Sequence, residues 1–490
     1  MIITYTTQAP TTGDRIIPLV QTESLADRLA PLADELAVPV DVLPRDFKAD
    51  AREVMSLYGS GGTKTYLLGL GKKPQAMDWL RAFRKLIFDQ KARLAEQVWV
   101  DLTDADGATV EAVVLGIRGG TYDLRLFQTD KPEPPAFLTD AGRLTLVVSA
   151  DQEEAVQTSL NRAEVIAQTT RQMLDLMNAP ANLKSPERLS DWAVASGREH
   201  GYAVTVLNRA ELERQGLNAL LSVAQGSDVP PVLIVAEYKP EGIDKAPTVG
   251  LVGKGVTFDT GGVSIKDSAN MHLMKSDMGG AAAVLGTVEV AARLRLPVHL
   301  IGIVPATENS TDGRSTKPGD VITAYNGKTI EVIDTDAEGR VILADGLGYM
   351  LRHYQPDVLI DLATLTGSVI GTLGYHAAGL FSNNDDLASQ LTASADRTGE
   401  RLWRLPIWDL YKDDIRSDVA DVKNFHGKPI NGAIAAAKFL EVFIEGHPAW
   451  AHLDIAGMAF ADTEFGSQKN ATGYGIRLLI DYLRTIPANG

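Results

Sequence analysis

The sequence predicts an α/β protein of two domains: a smaller N-terminal α/β domain, and a larger C-terminal domain whose mixed, largely parallel sheet is flanked by helices. Three observations predict it. At 490 residues the chain is longer than one ordinary core organises. Continuous apolar runs of strand length recur through its second half, as suits a sheet buried on both faces. Between those runs lie helical segments closed by proline, which gives the strand, helix, strand order of crossover units.

Residues 1–160 alternate short apolar strands, such as Val98–Leu102 and Leu144–Val148, with charged helical stretches such as Ala82–Gln97. No recognisable chemistry accompanies them. A helical pattern free of Pro and Gly runs from Glu153 to Met177 and stops at Asn178-Ala179-Pro180-Ala181-Asn182. Its later part, 161–177, reads as the connector, and the second domain as 178–490. Ser185-Pro186-Glu187 fits an N-cap followed by Pro at the first helical position, opening a helix to about Glu199 that Gly201 ends. The strands that follow are Val232–Ala236, Thr248–Val252, Val298–Val304, Val358–Leu362 and Ala377–Phe381. Helices Ala281–Leu296, closed by Pro297, and Glu338–Tyr354, closed by Pro356, lie among them.

Composition excludes several functions. The formal charge of -16 disfavours wrapping a polyanion, so a nucleic-acid partner is not expected. With no cysteine there is no disulfide, thiolate zinc site or Cys nucleophile, so a transition metal here needs oxygen or nitrogen ligands. The N-terminus has no basic and apolar leader, and no run of about 18 apolar residues occurs, so the expected location is cytoplasmic, away from membranes.

Two clusters carry chemistry. Lys254, Asp259, Lys266 and Asp277 stand among glycines after a buried strand, where ligand sites of α/β sheets form. Asp334-Thr335-Asp336-Ala337-Glu338-Gly339-Arg340 opens a helix with carboxylates and an arginine. Either cluster alone reads equally well as helix caps and solvated loop side chains. Together, Asp259, Asp277, Asp336 and Glu338 would repel strongly unless cations compensate them, and two divalent ions balance four carboxylates. Gly250-Leu251-Val252-Gly253-Lys254-Gly255 superficially suggests a phosphate loop, but the required first Gly is Thr248 and Gly255 replaces the Ser or Thr after Lys.

Val252-Gly253-Lys254-Gly255-Val256-Thr257-Phe258-Asp259-Thr260-Gly261-Gly262, read with Thr335-Asp336-Ala337-Glu338-Gly339-Arg340, resembles the leucyl (cytosol) aminopeptidase family. The resemblance extends from about Met177 to the C-terminus and includes Asp277-Met278-Gly279-Gly280, Asp361-Leu362-Ala363-Thr364-Leu365-Thr366-Gly367 and His452-Leu453-Asp454-Ile455-Ala456-Gly457. It implies two divalent metal ions, zinc or manganese. Lys254, Asp259, Asp277 and Glu338 would hold one, and Asp259, Asp336 and Glu338 the other. It further implies catalytic roles for Lys266, at the developing oxyanion, and Arg340, holding a bicarbonate as general base. Met274, Thr364 and Ala456 would line the pocket for the first residue of a peptide with a free N-terminus. A metal-activated water would be the nucleophile, and the assembly a homohexamer.

The chain departs from the family pattern at Asp334, where Asn is usual, and at Val341, where Leu is usual. Asp334 either points to solvent or alters preference for the leaving side of the substrate. Ala471-Thr472-Gly473-Tyr474 lacks the Arg-Pro that often follows Thr-Gly. His272 lies between the motifs without the spacing of a helix-borne zinc site and takes no catalytic role. Two alternatives remain: a narrower dipeptidase, for example one cleaving Cys-Gly, and a DNA-binding or regulatory relative.

Overall fold

A computed structural model describes residues 1–59, 62–243 and 246–487. The chain forms two compact units, Met1–Gln168 and Thr169–Gly490, and the boundary falls inside the single helix Glu153–Asn178. The first unit is a six-stranded sheet in the order Ile2–Thr6, Arg143–Val147, Gln97–Asp101, Asp14–Leu19, Lys64–Gly69, Val54–Tyr58. Only the last pair is antiparallel. The helical stretch expected at Ala82–Gln97 is displaced: the helix is Ala76–Gln90, and Gln97 begins a strand. The reciprocal capping box of Gln75 and Asp78 sets its start, a signal that lies outside the stretch read from charge.

The second unit carries a nine-stranded sheet. Its order is Leu402–Arg404, Ala378–Ser382, Trp450–Asp454, Val358–Ala363, Thr248–Gly253, His299–Asn309, Val232–Tyr238, Ala203–Leu207, and Gly255–Asp259 adds to His299–Asn309. The four strands from Trp450–Asp454 to His299–Asn309 are mutually parallel, and antiparallel pairs flank them on both sides. Leu251, Val252, Ile301, Ile303, Leu359 and Ile360 are fully buried, because helices cover both faces. Gly250 faces Met350 of helix Glu338–His353, whereas Gly302 faces Val284 and Val288 of helix Gly279–Arg293. Strand register places Gly250 beside Ile301, so these two glycines point to opposite faces and each lets one helix approach.

The helix Pro186–His200 begins and ends on the residues expected: the Ser185 hydroxyl accepts from the Arg188 amide, and Gly201 takes the left-handed conformation at φ 77°.

Candidate metal centre

Parallel strands deliver their carboxyl ends to one place. Lys254 follows the strand Thr248–Gly253, Asp259 ends Gly255–Asp259, Asn309 ends His299–Asn309, and Thr364 follows Val358–Ala363. Two helices supply the rest: Asp277 precedes Gly279–Arg293, and Glu338 is the first residue of Glu338–His353. Ligand sites of open α/β sheets form at such ends. The Lys254 backbone is fixed on both sides, its N–H donating to Leu362 O (3.0 Å) and its carbonyl accepting from Ala281 N (2.9 Å). Glycine makes this approach possible. A Cβ on Gly280 would stand 2.0 Å from Leu362 O, and one on Gly339 would strike the Lys254 side chain at 2.6 Å. Gly253 packs against the Gly280 backbone in the same way, so the glycines around Lys254 serve close packing rather than a phosphate cradle.

Lys254 Nζ lies 2.7 Å from Asp277 Oδ2, 2.8 Å from Glu338 Oε1 and 3.0 Å from the Thr364 carbonyl. Lys266 Nζ pairs with Asp259 Oδ2 at 2.9 Å and with Asp336 Oδ1. Oxygens of Asp259, Asp336 and Glu338 lie within 4.8 Å of one another. Four carboxylates therefore face two ammonium groups in a largely buried site. Burial, then the Asp259 and Glu338 charges, push the Asp336 acid up to about 7 against the pull of Lys266. Burial and neighbouring carboxylates likewise raise Asp277 well above the usual range, and raise Glu338. For both lysines burial acts to lower the pKa, but the surrounding carboxylates outweigh it and hold the ammonium forms.

Asn309, Thr335, Asn424 and Asp334 escaped the sequence reading as structural partners. Asn309 Nδ2 donates to Asp259 Oδ1 (2.8 Å), as does the Gly261 amide (2.8 Å), which leaves Asp259 Oδ2 facing Lys266. The Thr335 hydroxyl ties the glycine turn, donating to Gly261 O (2.7 Å) and accepting from Ser264 N (2.8 Å). Asp334 is half-buried, and its Oδ1 accepts the Asp336 amide at 2.9 Å. It braces the turn that presents Asp336, the local work an Asn side chain also does. Asn424 accepts from the Ile333 and Asp334 amides and receives Arg340 Nη1 on its own carbonyl at 2.9 Å. Their signal in sequence is weak, because Asn and Thr at strand ends and turns are commonplace.

The catalytic-domain profile of the cytosol aminopeptidase family matches residues 171–480. The chain belongs to the cytosol aminopeptidase family. Probable cytosol aminopeptidases of Chlorobium limicola and Chlorobium luteolum are 44% and 43% identical to it, covering 90% and 96% of this chain and 91% and 97% of theirs. The structure of a cytosol aminopeptidase from Coxiella burnetii matches with a TM-score of 0.83 at 31% identity over 98% of each chain. The bottromycin maturation enzyme BotP in complex with Mn matches with a TM-score of 0.82 at 32% identity, over 96% of this chain and 99% of that one. As a cytosol aminopeptidase the chain is a hydrolase, a metal-dependent aminopeptidase that acts on peptides. Among the described residues no helix is long and apolar enough to cross a membrane.

The donor set of this cytosol aminopeptidase suits hard or borderline divalent cations, being carboxylate oxygens with one amine. Asp277 Oδ2, Asp336 Oδ1 and Glu338 Oε1 are buried oxygens whose partners here are the Lys254 and Lys266 ammonium groups, so each already faces positive charge, as a cation's ligand must. Arg340 is buried at the start of its helix, its Nε has no hydrogen-bond partner among the described residues, and burial lowers its pKa to about 10. Of the residues expected to line the pocket, Thr364 reaches the centre, its hydroxyl donating to Asp277 Oδ1 at 2.7 Å. Met274 is half-buried in the 3-10 helix Met271–Ser276 and its carbonyl receives the Asp277 amide. Ala456 packs on the cluster of Val369, Phe381, Ala433 and Ala437. His272 is exposed and meets Gln468 at 3.2 Å.

Proposed function

We propose that the chain is a leucyl-type aminopeptidase that removes leucine and other apolar residues from peptide N-termini at a centre of two divalent ions, zinc or manganese. The convergence of Lys254, Asp259, Asp277, Asp336 and Glu338 carries this reading. Lys254, Asp259, Asp277 and Glu338 would hold one ion, and Asp259, Asp336 and Glu338 the other. Bound there, such ions supply Lewis acidity and lower the pKa of water toward neutrality.

The chain's own groups then divide the work. Lys254 has to give up its ammonium proton to act as a ligand, since only the neutral amine has a lone pair. Lys266 keeps its proton and supplies positive charge where a scissile carbonyl oxygen becomes an oxyanion. The unpaired Nε of Arg340, at a helix N-terminus, would hold a bicarbonate ion as general base. The substrate's free terminal amine would be held at one of the two ions, which would confine cleavage to the first residue. Met274, Thr364 and Ala456 are assigned to the walls of the pocket for that residue. The assembly is taken to be a homohexamer, as the family resemblance implies, and the location to be cytoplasmic.

Protein stripped with a chelator, then given zinc or manganese, should hydrolyse leucyl amide and leave N-acetyl-leucyl amide intact. Equal hydrolysis of both would contradict exopeptidase action. Activity confined to Cys-Gly would replace this reading with the dipeptidase.

A further inference from the structure

Asp454 is a fully buried carboxylate at the end of the strand Trp450–Asp454, and no step above uses it. Among the described residues its side-chain hydrogen bonds all go to one turn and to the residues just past its own strand. Oδ1 accepts from the amides of Leu365 (3.2 Å), Thr366 (3.4 Å) and Ala456 (3.3 Å), and Oδ2 accepts from the Thr366 hydroxyl at 2.6 Å. That hydroxyl in turn accepts from Val369 N at 3.1 Å and caps the helix Gly367–Leu373. Next to it, the Ile455 amide donates to the Ala363 carbonyl at 2.8 Å. The turn 363–366 is thus held from behind along its whole length.

Between these fixed points sits Thr364, the one turn residue that touches the centre. Its carbonyl accepts from Lys254 Nζ at 3.0 Å and its hydroxyl donates to Asp277 Oδ1 at 2.7 Å. By occupying Oδ1, that hydroxyl leaves Asp277 Oδ2 to face Lys254. We infer that Asp454 is a positioning residue of the metal centre: by anchoring Leu365 and Thr366 it sets Thr364, and through Thr364 the side chains of Lys254 and Asp277. Because, among the described residues, no hydrogen bond or ion pair links Asp336 or Lys266 to this turn, its influence falls on the ion assigned to Lys254 and Asp277 rather than on both. Partners behind a ligand fix its orientation and tune affinity in this way.

This inference rests on the two-ion reading, and metal titration separates the two. Mn2+ is titrated into chelator-stripped wild type, Asp454→Asn, Thr364→Val and the double variant, followed by calorimetry and by the EPR signal of free Mn2+. Asp454→Asn keeps the side-chain size and a carbonyl acceptor but loses the charge and one acceptor oxygen. One of the two sites should weaken about tenfold or more in each single variant. The double variant should be no weaker than the worse single one, because both changes break the same link. An unchanged titration in Asp454→Asn with a native-like melting curve would overturn the positioning role, as would additive losses in the double variant. Should Asp454→Asn not fold, Thr364→Val alone decides, and two unaltered sites in it overturn the role. Wild-type protein binding fewer than two Mn2+ would instead overturn the underlying reading.

Discussion

Among the individual residues, Lys266 and Lys254 are both lysines held by carboxylates, yet their tasks differ because their surroundings do. Lys254 is enclosed, with a side chain only 4% exposed, whereas that of Lys266 is 23% exposed and can meet a reactant. Lys266→Ala should therefore retain metal and lose about 100-fold or more in kcat, the scale of a lost oxyanion donor. Full turnover in that variant would remove the assigned role. Protons also compete with metal here. Asp336 sits at about 7, above its ordinary 3.8, so near pH 6.5 much of it carries a proton that an ion must displace, and Lys254 has to deprotonate as well. Metal affinity should then rise with pH through 7, and calorimetry at pH 6.5 in buffers of different ionisation enthalpy should show net proton release. Proton uptake would contradict this. The four carboxylates were legible from sequence as a group that needs compensating cations, whereas Lys254 entered the ligand set only through the family resemblance. Asp334 was legible only as a departure: whether it faces solvent or braces Asp336 depends on a 2.9 Å backbone hydrogen bond that no pattern encodes.

At the level of elements, the apolar runs located three of the four central parallel strands, since a strand covered on both faces cannot alternate with polar residues, but not Trp450–Asp454, where His452 and Asp454 interrupt the run. The run Val298–Val304 stopped short, however. The strand continues through Pro305, Ala306, Thr307 and Glu308 to Asn309, pairing with Gly255 and Val256. Polar residues at its end hid that extension, and with it the contact of Asn309 with Asp259. The same pairing converts the glycine-rich segment after Lys254 into a strand, Gly255–Asp259, where a loop was the natural expectation. Buried Glu400 accepts from the Gly475 and Leu478 amides at 3.1 and 2.9 Å and pairs with Arg477 at 3.2 Å, fastening the start of the helix Ile476–Thr485. Glu400→Ala leaves those amides buried without acceptors and should cost about 2–4 kcal/mol in urea unfolding. A loss below about 0.5 kcal/mol would show that the helix start does not depend on it.

For the whole molecule, the match to the family's catalytic domain begins at residue 171, and the unit Met1–Gln168 lies wholly before it. Sequence had little to say about that first unit for a physical reason: its polar residues read as ordinary strand ends, caps and ion pairs, such as the partly buried Arg118–Glu164, rather than as a cluster of one charge. The proposed homohexamer makes a direct prediction. Light scattering should give about six times the 52.7 kDa chain mass, and a monomeric value under assay conditions would contradict it.

The most direct test counts metal per chain. After loading with Mn2+ and exhaustive dialysis, elemental analysis should find two ions in the wild type, and Glu338→Ala, which removes a proposed bridge, should lose both ions together with leucyl amide hydrolysis. One ion in the wild type, or two ions and full activity in Glu338→Ala, would contradict a centre built on shared carboxylates.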